Sequence, residues 1–375
     1  MIRVGIIGCG RIADQHAIEI QKIPACEIVG ACDREELMAK QMCERFGVKK
    51  YFSDVAEFLD VARPSIVHIT TPPQSHFELG KICLGAGCNV MFEKPFALNT
   101  KEVEELIRIA NSGDLKITVD HNAQFSSAAL EMRNLVRSGF LGGPPVHVES
   151  IWCYSYGDPG YAKALLGDSK HWVRNLPGKM LHNIISHGIS KIAEFLRDSS
   201  PQVLAYGFTS SLLKGIGEEE ILDELRTIIY DNCSTTAYFT FSTQISPPTH
   251  QLRIYGPRNS LIVDDLHQTV IKIPGNYKSY LNHFIPPLLE AKQYFGNALR
   301  HLRKFVKRDW YFEAGRKHLI ERFYRSVTGG EPLPIPYGEL ILVSKIMDDM
   351  FRLLNSQNQN STLPGKSDDC AGYLN

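Results

Sequence analysis

The 375-residue sequence lacks several features that would place it quickly in a class of protein. It contains no run of about 18 apolar residues, so a membrane span is not predicted. Its nine cysteines are scattered and form no CxxC pair, so neither a zinc site nor a disulfide framework is expected. The apolar stretch at the start is too short for a signal peptide. We therefore expect a cytoplasmic protein whose cysteines stay reduced and which binds no metal.

The sequence also lacks net charge, because Lys plus Arg and Asp plus Glu each number 41. This balance argues against a nucleic-acid partner, since binding to phosphates normally leaves a basic excess. Hydrophobic residues make up 43% of the chain, which is ample for a large core. The length predicts two or three domains.

A GxGxxA pattern follows the first predicted strand, which covers residues 2–7; the six residues after that strand are Gly8-Cys9-Gly10-Arg11-Ile12-Ala13. In a dinucleotide site Gly8 would permit the tight turn, Gly10 would let the backbone approach the pyrophosphate, and Ala13 would allow close packing of the helix on the strand. The N-terminus of the following helix would face the negative charge. Glycine turns are common, but the strand before and the helix after this one favour dinucleotide binding.

The second predicted strand ends at Asp33, twenty residues after Ala13. A carboxylate at this point can accept hydrogen bonds from the adenosine ribose hydroxyls and would repel a 2′-phosphate. The sequence therefore favours NAD as the cofactor. Arg34 keeps NADP possible, because a neighbouring arginine can accommodate the phosphate.

Strands and helices continue to alternate as far as residue 121. Strands are predicted at 65–70, 88–93 and 116–121, and helices at 35–46, 75–87 and 100–113. This alternation predicts an α/β fold in which residues 1–122 form a Rossmann domain with a parallel sheet. Ligands bind beyond the carboxyl ends of such strands. The cofactor-binding candidates are Gly8, Gly10, Arg11, Ile12, Asp33, Arg34, Thr71, Pro72, His76, Glu93 and Lys94.

From about residue 123 the pattern predicts a second, α+β domain over 123–355 with a large, mainly antiparallel sheet. A helix is predicted at 126–139, and strands at 146–154, 202–209, 225–231, 234–242, 250–256, 259–265 and 268–274. The last predicted helix, 338–355, should pack back towards the first domain. The polar tail 356–375 is predicted to be disordered.

Residues 284–326 are predicted to be helical and carry much basic charge. A membrane-surface helix or an oligomer contact would fit this charge. A solvated helix face that covers the sheet is the interpretation we favour.

One further helix, predicted from Lys179 onward, places Asn183 and His187 four residues apart and therefore on one face. A histidine on a helix is, taken alone, more often structural than functional. His182 is a second candidate but lacks a partner at matching spacing.

The GxGxxA turn with Asp33, the Glu93-Lys94-Pro95 sequence after a strand, and the pair Asn183 and His187 resemble the glucose–fructose oxidoreductase and inositol dehydrogenase (Gfo/Idh/MocA) family. The resemblance covers residues 1–355. It implies an NAD(P)-dependent oxidoreductase that transfers a hydride between nicotinamide and a hydroxyl or keto carbon of a sugar, polyol or nucleotide-linked sugar. It also implies a homodimer or homotetramer that associates through an exposed sheet face of the second domain.

The resemblance places Lys94 and His187 beside the reacting carbon. Many members have the helix pattern GGGxLxDxGxH, of which this chain keeps Gly178, Leu181 and His187, with Asn183 in place of the aspartate. We expect His187 to act as the acid/base, Lys94 to hold the reacting oxygen, and Asn183 to position the sugar. Two alternatives remain: a non-catalytic NAD(P)-binding sensor, and a redox-assisted glycoside hydrolase that holds NAD tightly.

Aromatic and basic side chains in the second domain could line a sugar pocket or simply pack in the fold. The aromatic candidates are Trp152, Tyr154, Tyr156, Tyr161 and Trp172. Lys163, Arg174 and Lys179 could bind the phosphates of a nucleotide-linked sugar.

Overall fold

The first sheet of the computed structural model has six parallel strands in the order β3-β2-β1-β4-β5-β6. The strands are β1 Ile2–Ile7, β2 Cys26–Cys32, β3 Tyr51–Phe52, β4 Ile66–Ile69, β5 Asn89–Phe92 and β6 Ile117–Val119. The helices that connect them are α1 Arg11–Gln21, α2 Glu36–Phe46, α3 Val55–Ala62, α4 His76–Gly85 and α5 Thr100–Ser112. This is the strand order of a Rossmann fold, whose crevice opens where the order reverses, between β1 and β4. The predicted fold class is confirmed.

The structure describes residues 1–155, 170–233, 235–275, 277–278, 280–306 and 314–361. The pocket candidates Tyr156, Tyr161 and Lys163 lie outside these residues, as does the part of the predicted disordered tail after residue 361. Within the described part of the chain, no helix combines the length and the apolar character needed to cross a membrane.

The sequence did not predict β3 or α3. A strand of two residues is too short to display the alternation of apolar and polar side chains that identifies strands. The helix α3 begins at an N-cap, Asp54, whose side chain accepts a hydrogen bond from the backbone N of Glu57. Its buried Phe58 packs against Phe52 of β3, so the two missed elements stabilise each other.

The second sheet has seven strands in the order β13-β12-β11-β7-β10-β9-β8. They are β7 His147–Cys153, β8 Gln202–Phe208, β9 Glu224–Tyr230, β10 Thr236–Ser242, β11 Thr249–Tyr255, β12 Ser260–Asp264 and β13 Thr269–Ile273. Neighbouring strands are antiparallel except β7 and β10, which pair in parallel. The predicted mainly antiparallel sheet is confirmed.

One face of this sheet packs on helices and the other is exposed. In β9 the buried residues Leu225, Thr227 and Ile229 alternate with the exposed residues Ile228 and Tyr230. The helices of this part of the chain include α6 Ser127–Arg137, α7 Lys179–Ile184, α8 Ser186–Ala193 and α9 Ser211–Gly215.

The sequence predicted one continuous helix that carries Asn183 and His187. The structure instead has two helices there, α7 and α8, which meet at Ile185. Ile185 is fully buried in the second core. Gly178 is the N-cap of α7. A glycine is required at this position because the ring of Phe351 leaves no room for a Cβ atom.

The basic region predicted to be helical at 284–326 forms two helices, α10 Leu281–Val306 and α11 Ala314–Gly329. The helix α11 packs in the first core rather than on the second sheet, since its side chains Leu319, Ile320, Phe323 and Tyr324 are buried there. Sequence position alone could not show this, because α11 follows the second sheet in the chain. The domain boundary at residue 122 stays a prediction. The packing of α11 shows in addition that the chain returns to the first core after the second sheet.

The last helix, α12 Tyr337–Ser361, contributes buried side chains to both cores, among them Leu340 in the first and Phe351 in the second. It contacts α5 of the first domain and α8 and β8 of the second. It continues six residues beyond the expected end at 355, so residues 356–361 of the predicted disordered tail are helical.

Replacing Gly178 with Ala should destabilise the protein, because the added Cβ would lie 2.2 Å from a ring carbon of Phe351. Overpacking of this kind costs about 1–3 kcal/mol, measurable as a lower urea midpoint with an unchanged slope. The matched control is Gly85→Ala in α4, where an added Cβ would meet nothing within 4 Å. Equal midpoints for G178A and the wild type would contradict the packing described.

Candidate active site

The crevice lies at the carboxyl ends of β1, β4, β5 and β6, where most of the predicted site residues meet. Gly8 follows β1 with a φ of +92°, and a side chain there would collide with Thr71 after β4. Only glycine suits both constraints. A Cβ added at Gly10 would meet nothing within 4 Å, so this backbone borders open space. The first turn of α1 has no side-chain cap, which leaves its amides available to an anion.

Asp33 lies at the end of β2, beside the glycine loop. One carboxylate oxygen accepts a hydrogen bond from the backbone N of Cys9 at 2.7 Å, and the other accepts one from Glu35 N at 3.0 Å. The carboxylate therefore fixes the loop and remains partly exposed at the crevice. The neighbouring Arg34 side chain is 92% exposed.

The remaining cofactor candidates differ in exposure. Arg11 and Pro72 are exposed, and Ile12 and Thr71 are half-buried. His76 is fully buried, with its ring nitrogens 2.9 Å from the carbonyl oxygen of Thr71 and 3.0 Å from that of Phe96. In this position His76 holds two crevice loops together instead of facing the crevice.

Glu93 and Lys94 directly follow β5, and they differ in burial: Glu93 is buried and Lys94 is half-buried. Glu93 is buried, and its carboxylate accepts hydrogen bonds from the Lys94 backbone N at 3.1 Å and from His16 at 2.9 Å. His16 and Arg316 hold the Glu93 pKa below its usual value despite burial. Glu93 is thus an ionised support for the lysine.

A chain of hydrogen bonds continues from Glu93 into the interior. Nδ1 of His16 lies 2.8 Å from Nδ1 of His68, and Nε2 of His68 lies 2.8 Å from the Tyr324 hydroxyl. Burial lowers the pKa of His68, so it is neutral. The chain thus runs from the Tyr324 hydroxyl through the rings of His68 and His16 to the Glu93 carboxylate.

Arg316 of α11 completes the buried charges. Its Nε donates to Asp120 after β6 at 2.6 Å, and it also bonds Gln15 at 2.7 Å. Burial raises the Asp120 pKa to about 6, and the guanidinium opposes that rise. His16, Glu93 and Asp120 could each offer one atom to a metal ion. Arg316 already supplies the positive charge at this position.

The second domain contributes the opposite wall of the crevice. Lys94 Nζ donates to the backbone O of Asn183 at 2.9 Å and lies 3.4 Å from Oδ1 of the same residue. The charge of Lys94 also helps lower the pKa of His187, second to burial. Lys94 therefore lies beside Asn183 and close enough to His187 to affect its pKa, and all three side chains are half-buried.

Sequence reasoning missed several residues that lie at this site. His121 after β6 is buried with its ring centroid 6.3 Å from that of His187, and burial lowers its pKa to about 3. The rule that ligands bind at strand carboxyl ends could have identified Asp120 and His121. His16 and Arg316 carried no comparable signal, because each lies within a helix.

Of the proposed lining residues, Trp152 lies beside His187, whereas Arg174 and Lys179 pair with glutamates. The ring of Trp152 stacks on His250 at 3.9 Å between centroids and lies 5.6 Å from that of His187. Arg174 pairs with Glu218 at 2.5 Å, and Lys179 pairs with Glu220 at 2.9 Å. The two described basic candidates therefore have carboxylate partners and do not form an open phosphate site.

The first domain has the Rossmann strand order, and Lys94 at its crevice contacts the segment of the second domain that carries His187. Comparison with known proteins agrees: the model of the oxidoreductase family with an NAD-binding Rossmann fold matches residues 2–121. The first third of the chain is therefore similar to the Gfo/Idh/MocA oxidoreductases.

Several relatives are dehydrogenases. The chain is 28% identical to myo-inositol 2-dehydrogenase of Thermotoga maritima over 82% of this chain and 87% of that protein. It is 30% identical to D-glucoside 3-dehydrogenase of Escherichia coli, but over only 38% of this chain and 40% of that protein. A solved UDP-N-acetylglucosamine 3-dehydrogenase of Acidithiobacillus ferrooxidans shares the fold, with a TM-score of 0.70 at 18% identity, covering 95% of this chain and 98% of that one.

Burial of neutral histidines at the site predicts a specific pH dependence of stability. Burial lowers the His182 pKa from 6.5 to about 4. Between these two pH values the unfolded chain binds a proton at His182 and the folded protein does not, so acid favours unfolding. The contribution of neutral His182 to the free energy of unfolding is present above pH 6.5 and is lost as the pH falls towards 4. At about 1.4 kcal/mol per pKa unit, His182→Gln should flatten the stability change between pH 6.5 and 5 by about 2 kcal/mol in urea unfolding.

The comparison of slopes isolates this histidine. Burial raises the pKa of Asp120 to about 6 and that of Glu339 to about 7, which changes stability in the opposite direction, but equally in both proteins. His283→Gln, at an exposed position, serves as the control. Parallel pH curves for H182Q and the wild type would show that His182 is not held neutral by burial.

Proposed function

We propose that the protein is an NAD-dependent dehydrogenase that oxidises a hydroxyl group of a sugar or polyol, or catalyses the reverse reduction. The observation that carries this proposal is the contact of Lys94 Nζ with the Asn183 backbone at 2.9 Å. It joins the segment after β5 to the segment that bears His187, which supports a site with a cation and a neutral imidazole. The match of residues 2–121 to the model of the NAD-binding oxidoreductase family supports the same class of reaction.

The residues at the crevice fit a dinucleotide. The open side of Gly10 and the uncapped first turn of α1 would hold the pyrophosphate, and Asp33 would bind the adenosine ribose. The nicotinamide ring, when bound, supplies the hydride acceptor or donor. Thr71 and Pro72 border the same space, and Glu93 acts through Lys94.

The protein groups manage the proton. Burial lowers the pKa of His187, so the imidazole is neutral near pH 7 and can accept the hydroxyl proton. Burial also lowers the pKa of Lys94, whose ammonium can stabilise the negative charge that develops on the same oxygen. Asn183 offers an amide that can hydrogen-bond a second hydroxyl.

A sugar or polyol without phosphate groups suits the described pocket better than a nucleotide-linked sugar. Arg174 and Lys179, two of the basic side chains expected to bind phosphates, are paired with glutamates. One relative by sequence acts on myo-inositol and another on D-glucosides, which have no phosphate. The panel to test therefore begins with polyols and glucosides and includes UDP-N-acetylglucosamine.

Lys94→Ala should lower kcat by roughly 10²–10⁴-fold on whichever panel compound the wild type oxidises, while the NAD dissociation constant changes little. NADH absorbance measures the first quantity and protein fluorescence the second. Lys101→Ala, at an exposed position of α5, is the control. Full turnover by K94A would exclude the role given to this lysine.

Wild-type behaviour on the panel separates the alternatives. NAD binding without oxidation of any compound would favour the sensor interpretation. Glycoside cleavage with no net NADH would favour the redox-assisted hydrolase.

Cofactor choice gives a separate prediction. Asp33→Asn keeps an acceptor for Cys9 N but removes the charge that would repel a 2′-phosphate. The ratio of NADP to NAD affinity should rise about tenfold or more in D33N, in fluorescence titrations of both cofactors. Glu35→Gln, whose side chain is 72% exposed, is the control. An unchanged ratio in D33N would show that Asp33 does not select NAD.

A further inference from the structure

Helix α10 has its polar side turned towards the protein and its apolar side turned towards solvent. It lies against β13, where the Gln293 side chain bonds the backbone N and O of Lys272 at 2.8 and 2.9 Å. Asn297 is buried, and Arg300 pairs with Glu131 at 2.9 Å. A helix that only covered a sheet would show the reverse arrangement. We favoured a solvated face on a helix that covers the sheet; α10 does lie against β13, and its solvent-facing side is largely apolar.

The exposed apolar residues follow a heptad pattern. We name the heptad seam as the positions spaced alternately three and four residues apart, which are Leu281, Phe284, Leu288, Ala291, Phe295, Ala298, Leu302 and Phe305. All eight are exposed, and Phe284, Leu288 and Phe295 are 63%, 69% and 67% exposed. At 3.6 residues per turn the seam lies opposite the side that Gln293 and Asn297 anchor. A repeat of this kind over three heptads fits a second helix.

We propose that α10 pairs with α10 of a second copy of this chain, antiparallel, along the heptad seam. The order of residue sizes supports this orientation. With the twofold axis near residue 293, Ala291 would face Phe295 of the other copy, and Ala298 would face Leu288. Each small residue then meets a large one, as close packing requires. A parallel pair would place alanine on alanine and phenylalanine on phenylalanine, with voids beside crowded layers.

Charge supports the same orientation. Residues 281–291 carry one charged side chain, Glu290, whereas the last turns carry Arg300, Arg303 and Lys304. A parallel pair would bring two basic ends together. An antiparallel pair with its axis at residue 293 separates them by roughly 27 Å along the helix axis, since residue 302 lies nine residues from that axis.

The available area is sufficient for a stable contact. Four aromatic side chains of α10 are more than half exposed: Phe284, Tyr294, Phe295 and Phe305. Together they could bury roughly 400–600 Å² on pairing. The partly exposed leucines on the same side bring the total towards the roughly 800 Å² per partner that is typical of specific interfaces.

A bilayer surface fits these observations less well. Membrane-surface helices carry large apolar residues along the whole buried face and basic residues along its flanks. Here two of the eight seam positions are alanines, and the arginines of α10 are confined to its last two turns.

The first test measures assembly mass and dissociation by sedimentation. Leu288→Glu should weaken the α10 contact on the order of 100-fold, since a buried leucine is lost from both copies, and should halve the mass of the assembly. Leu37→Glu, at a position of similar exposure (64% against 69%) in the first domain, should change neither. Equal masses for L288E and the wild type, or a monomeric wild type at micromolar concentration, would overturn the proposal.

The second test fixes the orientation and stands even if the glutamate variant fails to fold. In the antiparallel pair residue 284 faces residue 302 of the other copy, so the double variant Phe284→Cys, Leu302→Cys should form an oxidative crosslink between chains. The single variants and the wild type, with its native cysteines, should not. A crosslink in F284C alone would indicate parallel pairing. Wild-type binding to phosphatidylcholine–phosphatidylserine vesicles that L288E abolishes, with no change in mass, would assign the seam to a membrane.

Discussion

The ionised carboxylate of Glu93, buried beneath the crevice, is the constraint on which the surrounding structure depends. An unpaired buried charge is costly, so every element around Glu93 supplies a partner. His16 comes from α1, directly behind the glycine loop, and Arg316 approaches within 4.0 Å from α11. The Lys94 backbone completes the set. The loop that would bind pyrophosphate and the lysine that would hold the substrate oxygen are thereby fixed to one another through a single carboxylate.

This constraint also explains why the chain returns to its first domain. The sheet of residues 2–119 offers Asp120 and Glu93 within one buried cluster, and its own segments provide no arginine there. Arg316 arrives from nearly 200 residues later, on a helix whose Leu319 and Phe323 are buried in the first core. Apolar packing places α11, and the ion pair fixes its register against β6. The hydroxyl of Tyr324, about two turns beyond Arg316 on the same helix, ends the hydrogen-bond chain through His68.

The sequence predicted correctly those features that depend on residues close together in the chain. The glycine turn, the acid at the end of β2 and the alternation of strands and helices are set by neighbours in sequence, and these predictions match the fold. The break at Ile185 depends on packing in the second core, and the support of Glu93 depends on residues that are far apart in the chain. The apolar side of α10 was visible as heptad spacing, but only the contacts of Gln293 and Asn297 show which side faces outward.

The contact with Lys94 explains how an asparagine can stand at position 183, where many members of the similar family have an aspartate. The lysine binds the backbone oxygen of residue 183 at 2.9 Å, a contact that does not require a carboxylate side chain. An aspartate would add a negative charge at the position of Oδ1, 3.4 Å from Nζ, and would hold the lysine pKa up. With the amide, burial remains the largest influence and the pKa of Lys94 is lowered. The amide thus keeps the contact that joins the two domains without placing a negative charge beside the ammonium.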